Sequence, residues 1–159
     1  MIAENIAKIK ADLAHELDKL GRSGEEITLV AVTKTHPVEA VEAALKAGIT
    51  DFGENKVQEA MRKVPLLSVP YAGFHFIGHL QTNKINQLLS LHPRLIHSID
   101  SLNLAQTLHK ALGRTNRYQD ILIQINSSKE SSKSGFDFEE AEAAICRIAN
   151  YSSMRIMGL

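Results

Sequence analysis

Six short apolar runs, each of the first five leading into a stretch with helical spacing, constrain this chain more than any other feature. ITLVAVT (27–33) precedes VEAVEAALKA, which ends at Gly48; ITDFG (49–53) precedes NKVQEAMRKV; FHFIG (74–78) precedes TNKINQLLSL. LIHSI (95–99) then precedes SLNLAQTLHKAL, ILIQIN (121–126) precedes FEEAEAAICRIAN, and MRIMGL (154–159) supplies a sixth strand. Strands that alternate with helices pair in parallel through right-handed crossovers, and burial on both faces is expected to make them continuously apolar. The fold class is α/β. Ahead of the first strand, Ile2, Ile6, Ile9, Leu13, Leu17 and Leu20 recur at spacings of three and four, which predicts an extra amphipathic helix closed by Gly21. Pro37 suits the first turn of the helix after the first strand.

Two α/β architectures compete, an open doubly wound sheet and a (β/α)8 TIM-type barrel. No GxGxxG follows the first strand and no GxxxxGK[ST] occurs, so the nucleotide-binding open sheets lack their signatures. Strand centres recur at roughly 21 to 34 residues, near the ~30 of an eight-unit barrel. The expectation is an incomplete barrel of about six strands with the extra N-terminal helix. It forms a single partial domain over 1–159, with strands seven and eight absent.

Lys+Arg and Asp+Glu balance at 18 each, and a formal net charge of zero argues against nucleic acid or an anionic membrane as the main partner. The one cysteine, Cys146, cannot close an internal disulfide, and beside Ile145 and Ile148 it is expected in the core. No apolar run is long enough to span a bilayer and no signal peptide opens the chain, so a cytoplasmic location is expected.

The chemistry starts from TLVAVTKTHP (28–37). Strand alternation puts Val30, Val32 and Lys34 on one face. If that face lines the barrel, Lys34 sits at the carboxyl end, where barrel active sites lie. GENK (53–56), GHLQTNK (78–84), SIDS (98–101) and NSSKESSKSGF (126–136) gather at the same end, although loops after strands are commonly polar in any case. An amine at an apolar rim loses hydration of its ammonium form and becomes a nucleophile for an aldehyde; pyridoxal phosphate and class I aldolase substrates both fit. His75 and His79 share an HxxxH spacing but lack a third ligand, so no metal is expected, and His79 is placed at the pocket mouth. Lys56 and Lys84 read as helix-terminus or surface lysines. SSKESSKSGF is either an anion cradle of backbone N–H groups or a solvated loop.

Taken together, AVTKTHP, FGENKVQE, FHFIGHLQTNK, IHSIDS and INSSKESSKSGF, in this order and spacing, resemble the pyridoxal-phosphate homeostasis protein family, single-domain relatives of the alanine racemase N-terminal barrel. The resemblance implies a fold-type III barrel with pyridoxal 5'-phosphate held as a Schiff base on Lys34 and Asn55 near the bound cofactor. It implies a carrier without turnover, with cofactor-dependent apoenzymes as recipients. Family members continue through strands seven and eight, whose loops hold the phosphate, so weakened binding is expected here. Two alternatives stand: a racemase-like enzyme of the same fold type, and a barrel fragment that binds nothing. Racemisation needs acid and base groups on both faces of the cofactor, and in racemases of this type the second comes from a further domain absent here.

Overall fold

Among the described residues, helix α1 (Ile2–Lys19) precedes six strands and five α-helices in strict alternation. In chain order these are β1 (Val30–Val32), α2 (Val38–Lys46), β2 (Asp51–Glu54), α3 (Val57–Lys63), β3 (Gly73–Phe76), α4 (Ile85–Ser90), β4 (Leu95–Ile99), α5 (Leu102–Gly113), β5 (Gln119–Ile123), α6 (Phe138–Ala149) and β6 (Met154–Gly158). This computed structural model describes residues 1–128 and 134–159. Residues 129–133, the centre of the serine- and lysine-rich run, lie outside the described residues.

All six strands run parallel in the order β1–β2–β3–β4–β5–β6. A doubly wound sheet reverses its strand order at a switch point. This sheet has none, and each crossover leads to the next neighbour, as in the wall of a barrel. β1 is shorter than ITLVAVT because only Val30–Val32 meets β2. β5 begins before ILIQIN because Gln119 and Asp120 already pair with Met154 and Arg155.

Register and alternation give the sheet two unlike faces. Phe52, Phe74, Phe76, Ile96 and Ile121 point outward into a buried core with Val41 and Leu45 of α2, Val57 and Ala60 of α3, Leu88 of α4, Leu108 of α5 and Ile148 of α6. The inner face carries Val30, Asp51, His75, His97, Asp120 and Arg155, several of them lining a cavity of about 410 Å³. The expectation of strands apolar on both faces is thus corrected. Their inner face is polar because charged groups there pair with one another, as Arg155 does bidentately with Asp120 at 2.7 and 2.9 Å.

The extra N-terminal helix forms as expected and is closed at Gly21, φ 66°, whereas the placement of Cys146 needs revision. Only Ile6 of the α1 stripe is fully buried, against Ala44 and Ile49, while Ile2, Ile9 and Leu20 are exposed. Cys146 is also exposed: α6 turns Ala141, Ala144 and Ile148 inward, and Cys146 falls on the opposite side. Among the described residues, no helix is long and apolar enough to cross a membrane.

Candidate functional site

Because the strands are parallel, the segments after β1, β2 and β3 emerge at one end of the sheet. Lys34 follows β1 on a turn, Asn55 follows β2 directly, and His79 lies just beyond β3. Backbone bonds hold these segments together: Thr33 N–H donates to Gly53 O at 3.0 Å, and Ile77 N–H to Glu54 O at 3.0 Å. Gly78 passes so close to Asn55 that a Cβ on it would overlap the Asn55 carbonyl, and the Gly78 carbonyl accepts from Ser98 Oγ at 2.5 Å. Only glycine allows that approach.

Lys34 is exposed and its side chain has no hydrogen bond or ion pair among the described residues. This corrects the expectation of an amine at a desolvated rim, because the chain leaves the strand before Lys34 and turns. The His36 N–H donates back to Thr33 O at 3.1 Å, and Thr35 at the third position has φ 65°. Positive φ at that position is the mark of a type II turn, which ordinarily requires glycine. A β-branched residue there is strained and persists only where its surroundings hold it.

Those surroundings come from α3 and β2. Lys63 Nζ donates to Thr33 O at 2.8 Å, to Glu54 Oε1 at 2.8 Å and to Glu59 Oε1 at 2.7 Å, using all three ammonium protons. Thr33 Oγ1 donates to Glu54 Oε1 at 2.6 Å, and the Thr35 N–H donates to Glu59 Oε1 at 2.6 Å. Both neighbours of Lys34 are therefore fastened, while Lys34 itself is left open. Burial alone would lower the Lys63 pKa, but its bonds to Glu54 and Glu59 outweigh burial and raise it. The same bond from Lys63 holds Glu59 below the usual carboxylate value. Sequence reasoning missed this group; its trace was the glutamate–lysine pair four residues apart in VQEAMRK, which reads as an ordinary surface pair.

Asn55 is half-buried, and its side-chain amide has no hydrogen-bond partner among the described residues. His79 is largely exposed and its Nδ1 meets Asp100 Oδ2 at 2.9 Å. Lys56 is exposed at the start of α3, and Lys84 is half-buried in the 3-10 turn Thr82–Lys84. Lys34 and Asn55 thus present an accessible amine and an uncommitted amide at the same end of the sheet.

His75 does not join His79. It lies in the cavity on the inner face, with Nδ1 2.8 Å from His97 Nε2 and Nε2 3.0 Å from Asp51 Oδ1. Burial, reinforced by the charge of His75, pushes His97 down to about 4. Burial would raise Asp51, but hydrogen bonds from Thr50 and His75 and the Arg94 guanidinium lower it.

A family model described as alanine racemase, N-terminal domain, matches residues 9–159. The pyridoxal phosphate homeostasis protein of Escherichia coli (strain K12) is 39% identical over 99% of this chain and 68% of its own length. PipY of Synechococcus elongatus PCC7942 has been solved without PLP, at TM-score 0.84 and 31% identity, with 100% of this chain and 69% of PipY covered. Its structure with PLP bound aligns over the same shares at TM-score 0.80 and 30% identity. An alanine racemase from Clostridium difficile 630 shares the fold, at TM-score 0.70 and 16% identity over 84% of this chain and 37% of that one. The chain belongs to the alanine racemase N-terminal domain family, among the pyridoxal phosphate homeostasis proteins.

Proposed function

We propose that this chain binds pyridoxal 5'-phosphate in cofactor homeostasis and holds it through Lys34 without turning anything over. The observation that carries the proposal is the state of Lys34: an exposed, unpaired amine on a turn fastened at both flanking residues, at the end of the sheet where Asn55 also emerges. Support comes from relatives named for pyridoxal phosphate homeostasis and from PipY, solved with PLP bound.

Pyridoxal phosphate supplies an aldehyde carbon, to which an unprotonated lysine nitrogen bonds with loss of one water. Lys34 presents that nitrogen. Asn55 offers an amide to the ring substituents, and His79, oriented by Asp100, lines the mouth. The relatives are named for homeostasis and not for a reaction, which supports a carrier over a racemase-like enzyme. Delivery to cofactor-dependent apoenzymes in the cytoplasm completes the reading.

The test mixes the purified chain with pyridoxal phosphate, records visible absorption, reduces with borohydride and maps the adduct. Adduct at Lys34, lost in Lys34→Ala, is expected; equal labelling of Lys34→Ala would overturn the assignment. Exchange of the α-proton of L-alanine in deuterated water faster than with free cofactor would favour the enzyme.

A further inference from the structure

We propose that Glu59, backed by Lys63, is a positioning residue that aims the Lys34 amine by holding Thr35 in its left-handed conformation. The inference rests on Lys34 being the anchor, and deepens that reading. Thr35 has φ 65° and no glycine freedom, so without a restraint its backbone relaxes toward negative φ and the turn reopens. Glu59 Oε1 supplies that restraint through the Thr35 N–H at 2.6 Å. Glu59 is itself held by Lys63 at 2.7 Å, and Lys63 also grips Thr33 O on the other side of Lys34. One carboxylate oxygen thus links the strained residue to a buried ammonium already bound to the strand end through Glu54.

The geometry also explains why two neighbouring lysines would behave differently. Lys63 is 7% exposed with every proton committed, whereas Lys34 is exposed and uncommitted. The clamp uses the first lysine to place the second. Losing the restraint would leave Lys34 chemically intact but spread over more directions, which weakens capture rather than abolishing it.

The test compares Glu59→Ala, which removes the acceptor, with Glu59→Gln, which keeps a carbonyl oxygen there. Capture of pyridoxal phosphate at Lys34 is measured by absorbance titration and borohydride mapping, alongside thermal midpoints and hydrogen exchange of the Thr35 amide without cofactor. Glu59→Ala is expected to weaken capture about tenfold, the scale of one hydrogen bond to a charged group. Glu59→Gln should recover most of it, and Thr35 exchange should be faster in the alanine variant only. Wild-type capture by Glu59→Ala, or equal losses in both variants, overturns the proposal. If Glu59→Ala does not fold, Glu59→Asp retracts the carboxylate by one methylene; weakened capture supports the proposal and wild-type capture overturns it. If the wild-type chain gives no adduct at Lys34, the anchor reading fails, and the exchange comparison alone decides the clamp: faster exchange in Glu59→Ala than in Glu59→Gln supports it, equal rates overturn it.

Discussion

His75 and His97 face each other ring nitrogen to ring nitrogen at 2.8 Å, and Asp51 on the far side of His75 determines what that contact can be. A carboxylate accepts, so His75 donates from Nε2 to Asp51, and the 2.8 Å contact between the two rings has room for one proton only. Protonating both rings would set two N–H groups against each other. The charged neighbours in this cavity are Asp51, Arg94, Asp120 and Arg155.

A pH dependence of stability follows. His97 titrates near 4 in the folded chain and near 6.5 when unfolded, so the unfolded state takes up the proton first on acidification. The His97 contribution is complete above about pH 6.5 and declines toward pH 4. Urea unfolding midpoints measured between pH 7 and 4 should fall less steeply in His97→Gln than in the wild type.

Lys63→Met should cost about 3–5 kcal/mol, because it leaves Glu54 buried without its cation. The unfolding free energy from urea titration measures it. A loss below about 1 kcal/mol would mark the cluster as an ordinary exposed pair.

Gly78→Ala should destabilise by about 1–3 kcal/mol, since the added methyl must displace the Asn55 carbonyl. The accompanying movement should show as amide chemical-shift changes at Asn55 and Lys56, with the helix-side core undisturbed.

The two sheet faces predict opposite responses to substitution. Phe76→Ala, on the outer face and fully buried, should cost about 3–5 kcal/mol. Val32→Thr, at 49% exposed, should stay within about 0.5 kcal/mol. Thermal denaturation of the pair checks the assignment of faces.

Cys146 should react with a thiol reagent in the native chain, one equivalent per chain, at nearly the rate seen in urea. Reaction only after unfolding would place it in the core.

The candidate site was legible in part. Lys34, Asn55 and His79 each follow an apolar run at a turn, so their common end of the sheet could be read from parallel pairing. The clamp that holds the Lys34 turn could not, because it depends on Lys63 reaching Thr33 across 30 residues of chain. The buried Glu54 and Lys63 look like ordinary surface charges when only their neighbours in sequence are considered. Cys146 was misread for a related reason: with isoleucines on both sides, local composition suggests burial, and only the phase of α6 against the sheet decides it.

By itself the sequence determined the alternation of strands and helices and the α/β class, and it put Lys34 just beyond the first strand. Those features arise from local propensity and from hydrophobic spacing, which act over a few residues. The tertiary structure decided the polar inner face with His75 against His97 and the clamp from α3 that fixes the Lys34 turn. Each depends on register and on contacts between distant segments, where a shift of one residue would exchange the two faces of a strand.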